Sequence, residues 1–305
     1  MTTRSATVPS VAKLNLDLRV LGKRPDGFHE LRTIFQTISL ADEIEISFTP
    51  GRGKTALSID GNINIPNNLI LRAAEAVMRV TKAKGIVHFA LNKRIPMGGG
   101  LGGGSSNAAA VLLALPVLVG KSVPMPVLQQ LAVELGSDIP FFLYGGTALG
   151  LGRGSEIYPL EDVSGTSAVL AIPGLHVSTP EAYQALKRPL SVVAPAVYRD
   201  PEKWEMEGVN DFEAVVFAQF PQLKKLAGRL KRAGARTIRM SGSGSSLFAV
   251  FSDSKAEASA IQSLDGVELQ QVSFISRQKY QSLWWKSLKS HTLIKVWPPR
   301  SRYEQ

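Results

Sequence analysis

An α+β fold in two domains is what this sequence predicts, and three observations carry the prediction. The chain has 305 residues, enough for two separate cores. Its opening is rich in strand-like runs, and the strands and helices that follow are interleaved without the regular period of a doubly wound parallel sheet. The expected division is 1–160, 161–280 and a basic tail at 281–305, to which no structure is assigned. The stretch from Glu161 to Thr166 forms the boundary between the first two.

Taken in order, residues 11–22 and 32–48 mix β-branched and apolar residues as strands do, and Arg24-Pro25-Asp26-Gly27 between them is a turn signal. Leu69, Ala73, Ala76, Val77 and Val80 recur at helical spacing, which predicts a helix over 68–84 that Gly85 ends before a short strand, Ile86 to Leu91. Residues 107–115 are apolar on every face, as in a buried helix, and Pro116 stops or kinks it. A second helix is expected over 126–135 and a glycine-spaced hairpin over 145–160. Beyond the boundary, 168–172 reads as a strand, 181–186 as a short helix, 220–233 as an amphipathic helix and 247–251 as a strand.

Composition narrows the function. With 44% hydrophobic and 20% charged residues the chain is that of a globular protein, and its lack of cysteine excludes disulfides, thiolate nucleophiles and cysteine-ligated metals. The N-terminus has no apolar signal-like region. The longest apolar stretch, near 108–119, is broken by Pro116 and too short to span a bilayer, so a cytoplasmic protein with no membrane partner is expected. The net charge of +10 points to anionic partners. A nucleic-acid-binding protein is an alternative, disfavoured because aromatics are only 7% and are not interleaved with Lys and Arg, so no nucleic acid is expected. The four histidines form no metal-spaced pair, so no residue is assigned to a metal.

The segment Pro96-Met97-Gly98-Gly99-Gly100-Leu101-Gly102-Gly103-Gly104-Ser105-Ser106 has six glycines in seven positions, directly before the apolar helix. Glycine lets successive backbone N–H groups converge on an anion, and the open start of a helix favours negative charge, so phosphate is the natural ligand. No Asp or Glu occurs between Glu75 and Glu134, while Lys93 and Arg94 lie just upstream. The pattern Gly98, Gly100, Gly103 also fits a dinucleotide fingerprint, but no carboxylate stands near residue 120 to hold a ribose. Gly53-Lys54-Thr55 lacks the leading glycine of a Walker loop, since Phe48 stands there. A second cluster, Ser241-Gly242-Ser243-Gly244-Ser245-Ser246, either lays further donors beside the phosphates or makes a tight turn.

Four ordered segments, PSVAKLNLDLRVLGKRPDGFHELRTIFQTI, PMGGGLGGGSSNAA, GSDIPFFLYGGTALGLGRGSEI and MSGSGSSLF, resemble the GHMP family of small-molecule kinases over about residues 8–280. Within it the chain is most similar to the branch that phosphorylates a methylerythritol carrying a cytidine diphosphate group, and the homoserine and mevalonate types are the alternatives. The resemblance implies an ATP-binding domain and a smaller substrate domain with a cleft between them. It implies ATP as phosphate donor with Mg2+, transfer of the γ-phosphate to the 2-hydroxyl, and a place in non-mevalonate isoprenoid synthesis.

Carried over residue by residue, the resemblance puts the catalytic pair on Lys13 and Asp138 and the ATP loop on residues 96–106. The family's cytosine-binding tyrosine–histidine pair falls on Phe28 and His29, so the tyrosine hydroxyl is missing while ring stacking would survive. The aromatic on the other face of the base falls on Tyr183, after Thr179-Pro180, and Asn15, Ser241 and Gly242 are further candidate substrate contacts. Ser105 or Ser106 is the candidate hydroxyl for Mg2+. The expected assembly is a monomer or weak homodimer. The chemistry is coherent, because an alcohol is a poor nucleophile that a placed carboxylate can deprotonate and a cation can stabilise as it becomes an alkoxide.

Overall fold

The computed structural model describes residues 2–163, 165–186 and 203–304. Residues 187–202, inside the expected second domain, lie outside the described residues. Two long strands, β1 (Arg4–Lys23) and β2 (His29–Pro50), pair antiparallel around the turn at Arg24–Gly27. Their register shifts between Val11 and Lys13, between Asn15 and Asp17, and between Val20 and Gly22, irregularities that re-aim side chains where a regular ladder would not. The run Lys13-Leu14-Asn15-Leu16-Asp17 alternates polar and apolar residues. Leu14 and Leu16 enter the core, and the three polar residues are buried too.

β2 also pairs with β4 (Gly85–Asn92) and β5 (Thr147–Gly152), while β3 (Ala56–Gly61) adds to β4 in parallel and β6 (Glu156–Pro159) to β5. Against this six-stranded sheet packs α2 (Gly103–Val119), buried along nearly its whole length, flanked by α1 (Leu69–Thr81), α3 (Met125–Leu135) and the four-residue α4 (Ile139–Phe142). The helix runs through Pro116 to Val119 and stops at Gly120, whose φ of 85° only glycine adopts readily. It also begins at Gly103, four residues before the apolar run. Glycine is a poor helix interior residue, but in the first turn its open N–H is no loss.

The second sheet has the order β10-β7-β9-β8, from β7 (Ser167–Ile172), β8 (Thr237–Met240), β9 (Leu247–Val250) and β10 (Glu268–Ser273), all antiparallel. It is covered by α5 (Thr179–Ala185), α7 (Phe212–Gln219), α8 (Pro221–Arg232) and α9 (Ser254–Ser263), with α6 (Trp204–Glu207) nearby. Leu14, Leu16, Ile34 and Ile38 of the first sheet meet Leu170, Phe248 and Val250 of the second in a shared apolar seam. The chain then returns. Ile275, Tyr280, Trp284 and Leu288 join the core of the first sheet, and α10 (Arg277–Ser287) lies against it. Among the described residues no helix is long and apolar enough to cross a membrane.

Candidate active site

The glycine loop leads from β4 into α2 and turns with positive φ at Gly98 (71°), Gly100 (74°) and Gly102 (70°). Gly102 caps the helix without a side-chain hydrogen bond, and no acid stands in the first turn, so the N–H groups there are open to an anion. Behind the loop sits a buried polar network. Lys93 Nζ donates to Asp42 Oδ2 at 2.7 Å and to the Ile95 carbonyl, Asn107 bridges Asp42 and Ser10, and the Ser10 hydroxyl donates to Ser106 Oγ. Asp42 Oδ1 also accepts from the backbone N–H groups of Arg94 and Ile95. Lys93 is therefore spent on Asp42, far away in sequence, and braces the loop instead of extending a free charge into it. Burial pulls its pKa down while Asp42 opposes the shift.

The second glycine cluster abuts the first. The Ser241 hydroxyl donates to the Gly100 carbonyl at 3.0 Å and the Ser246 N–H to the Gly99 carbonyl at 3.3 Å, so these donors hold the loop. Contact is close enough that a Cβ on Gly100 would lie 2.0 Å from the Ser241 carbonyl oxygen. Asn210 fixes this turn in its place by donating to the carbonyls of Met240 and Gly242.

Lys13 emerges from the first register shift of β1, with its N–H on the Leu101 carbonyl and its ammonium 3.5 Å from Asp138 Oδ2. It also donates to Asn15 Oδ1 at 2.6 Å, and the Asn15 amide donates on to Thr33. Lys13 is 3% exposed, whereas the Asp138 side chain is 36% exposed, so the carboxylate is the member of the pair that a substrate can reach. Burial lowers the Lys13 pKa, opposed by the charge of Asp138 and a hydrogen bond to it. A cavity of about 160 Å³ is lined by this pair together with Asn15, Gly100, Gly102 and Gly242.

A larger cavity of about 790 Å³ opens from Asp138 toward Phe28, His29, Arg153, Thr179 and Tyr183. Phe28 is 48% exposed. The ring across from Tyr183 is His29, at 4.7 Å between centroids and 24° between planes, and the Arg153 guanidinium lies 3.7 Å from the centre of the Phe28 ring. A base between Phe28 and Tyr183 thus requires His29 to swing aside. Burial and the Lys23 charge hold His29 below its usual pKa, and burial pushes the Tyr183 phenol up, helped by Asp138. Thr179 shares a 2.7 Å hydrogen bond with Ser243, tying the start of α5 to the second glycine turn.

Sequence reasoning did not single out Arg153. It sits in the turn of the β5–β6 hairpin between Gly152 and Gly154, both at positive φ, and its buried Nε has no hydrogen-bond partner among the described residues. The close glycine spacing was the available signal. A further pocket of about 220 Å³, lined by Ile59, Asp60, Ile63, Ile65, Asn68 and Leu91, was likewise not anticipated. Leu69, next to it, reaches the loop, since a Cβ on Gly104 would lie 3.7 Å from Leu69 Cδ1.

Comparison with known proteins decides the family. Residues 68–146 match the GHMP kinases N terminal domain and residues 201–266 the GHMP kinases C terminal domain. The 4-diphosphocytidyl-2-C-methyl-D-erythritol kinase of Solibacter usitatus (strain Ellin6076) is 52% identical over 99% of both chains. This chain belongs to the GHMP kinase family. A crystal structure of 4-(cytidine 5'-diphospho)-2C-methyl-D-erythritol kinase superposes with a TM-score of 0.75 at 37% identity, covering 89% of this chain and 99% of that one. The homoserine kinase from Cytophaga hutchinsonii superposes with a TM-score of 0.65 at 18% identity, covering 88% and 94%, which is a likeness of fold alone.

Members of the GHMP family are ATP-dependent small-molecule kinases, and the parts such chemistry needs converge here. The structure brings Lys13, Asn15, Asp138, Gly100, Gly102, Thr179, Tyr183 and Gly242 around one cavity. Phe28 and His29 line the cavity beside it, while Met97, 58% exposed, projects away from the buried part of the loop. Ser241 touches the loop and Ser106 is turned inward to Ser10, which leaves Ser105, half-buried in the first turn of α2, as the hydroxyl nearer the open helix start.

Proposed function

We propose that this protein transfers the γ-phosphate of ATP to the 2-hydroxyl of 4-diphosphocytidyl-2-C-methyl-D-erythritol. One observation carries the reading: Asp138, paired with Lys13, stands at the junction of the glycine-loop cavity and the cavity of Phe28, His29 and Tyr183. A donor anchored by its phosphates on residues 96–106 and an acceptor anchored by its base on the aromatic side would meet at that carboxylate. The full-length relative and the matching crystal structure, both named for this substrate, support the same choice.

In the reaction, Asp138 accepts the proton of the 2-hydroxyl as its oxygen attacks the γ-phosphorus, and ADP leaves. Lys13 holds the carboxylate in place and offsets the charge that develops. The open N–H groups at the start of α2 bind the triphosphate, and the brace from Ser241 and Ser246 keeps the loop from adjusting as charge moves. The pocket by Asn68, which joins Ile59, Ile63 and Leu91 with the polar side chains of Asp60 and Asn64, fits the adenosine end of ATP, because it adjoins the loop through Leu69. Arg153 and Lys23 add positive charge beside Phe28, where the acceptor's diphosphate would need it.

Mg2+ fits this site as a companion of the nucleotide. Among the described residues no group of three His, Asp or Glu could cage it, so phosphate oxygens, water and Ser105 would be its ligands. When bound, it neutralises charge on the transferring phosphate. The test is incubation with MgATP and the cytidine substrate, followed by phosphorus NMR. Stoichiometric ADP and a new phosphate monoester are expected. Turnover of mevalonate or homoserine instead, with the cytidine compound untouched, would overturn the assignment.

A further inference from the structure

The segment after residue 276 has a consequence for catalysis that goes beyond filling the core. α4 is only four residues long, too short to hold itself together; the turn after it satisfies the Pro140 and Phe141 carbonyls, but the carbonyls of Phe142 and of the C-cap Leu143 find no backbone donor there. Both receive side-chain donors from the C-terminal segment. The Tyr280 hydroxyl donates to the Phe142 carbonyl at 2.5 Å and Trp297 Nε1 donates to the Leu143 carbonyl at 2.8 Å. Asp138 stands at the opposite end of the same short helix, as its N-cap residue.

We propose that Tyr280 and Trp297 are positioning residues for phosphoryl transfer, which clamp the end of α4 and thereby fix the Asp138 carboxylate against Lys13. Three observations make the coupling tight. Pro140 stiffens the three residues between the clamped Phe142 and Asp138. The Phe142 ring packs closely on the glycine loop, where a Cβ on Gly102 would lie 3.0 Å from its nearest atom, so the loop backs α4 on one side and limits where the short helix can settle. The turn after α4 is moulded on the tail, since a Cβ on Gly145, at φ 68°, would lie 2.3 Å from the Tyr280 ring.

The clamp is itself well supported. Trp297 makes edge contacts with Tyr280, Trp284 and Trp285 at centroid distances of 6.0, 6.3 and 5.9 Å. Tyr280 is 2% exposed, and burial pushes its pKa up, so the phenol keeps its proton and remains a donor. α10 is anchored at its start by Ser276, which accepts from the Lys279 N–H, and by Arg277, which donates to the carbonyls of Thr147 and Leu160.

This inference rests on Asp138 as the proton acceptor, and the experiment separates the two. Tyr280→Phe removes only a hydroxyl, and Trp297→Phe removes the N–H while keeping an aromatic ring; both are made in the full chain. Each is expected to lower kcat by roughly 5- to 50-fold with KM for ATP and for the acceptor changed less than about twofold, as a small misplacement of a catalytic group does. In an Asp138→Asn background the same substitutions should change the residual kcat by less than about twofold, because a positioned group that is already lost cannot be misplaced. Equal losses in both backgrounds, or normal kcat in both variants while Asp138→Asn is impaired, would overturn the clamp and leave the catalytic reading standing. A normal rate for Asp138→Asn itself would instead remove both. Should Tyr280→Phe unfold, Trp297→Phe carries the same comparison.

Discussion

Two glycine-rich turns meet in the cleft, and they use their freedom for opposite ends. The turn at 96–106 points its spare N–H groups outward at the start of a helix that has no capping side chain. The turn at 241–246 directs donors at the carbonyls of Gly99 and Gly100, and its own Gly242 carbonyl is held by Asn210. In the function proposed above, one is the cradle for the phosphates and the other its brace. The difference teaches that glycine content alone does not identify a phosphate site: donors that a turn spends inside the protein, here the Ser241 hydroxyl and the Ser246 N–H, are lost to a ligand.

The sharpest way to break this pairing is Gly100→Ala. A Cβ there would meet the Ser241 carbonyl at 2.0 Å, and the backbone at φ 74° suits glycine. Folding stability should fall by about 2–5 kcal/mol, read by urea unfolding, and ATP binding should be lost with it. Wild-type stability and affinity would show that the two turns are not in contact.

Lys13→Ala tests the cradle from its catalytic side, with kcat expected to fall about 10²–10³-fold while the fold persists. In the intact enzyme, burial has lowered the Lys13 pKa, so kcat should decline on the alkaline side with a midpoint below 10.5 as the ammonium loses its proton. Ser241→Ala removes a single neutral donor from the brace. It should cost about 0.5–1.5 kcal/mol and raise KM for ATP a few-fold, leaving KM for the acceptor unchanged. The smallest effect is at His29, whose lowered pKa keeps the imidazole neutral at ordinary pH. KM for the cytidine substrate should be flat above pH 6.5 and rise only below it, and His29→Ala should abolish that rise.

How far these features are legible in the sequence depends on the range of the interactions that make them. β2, α1 and β4 follow from local pattern within a few residues, whereas β1 begins at Arg4, well before the expected residue 11, and α2 runs past both ends of the expected 107–115. β3 was not anticipated, nor was α9, whose Asp253 cap is plain only once its side chain is seen accepting from Lys255 and Ala256. α9 buries just Glu257 and Ala260, too little to print an apolar stripe on the sequence. The C-terminal segment showed only tryptophans among basic residues, because its structure rests on contacts with Phe142 and Leu143, more than 130 residues away.

The site follows the same rule. The open glycine loop reads directly from composition, whereas the approach of Lys13 to Asp138 and of Lys93 to Asp42 joins residues that share no local pattern. The pairing of Lys13 with Asp138 was accessible through family resemblance. That of Lys93 with Asp42, like the stacking of Arg153 on Phe28, required the fold.

Asp138→Asn, followed by rapid quench of a single turnover with ATP bound, addresses the chemistry most directly. The carboxylate should be needed for the chemical step and not for holding the nucleotide. The phosphoryl-transfer rate is therefore expected to drop by about 10²–10⁴-fold with ATP affinity unchanged. A transfer rate within a few-fold of the wild type would contradict the role given to Asp138 and, with it, the account of the site.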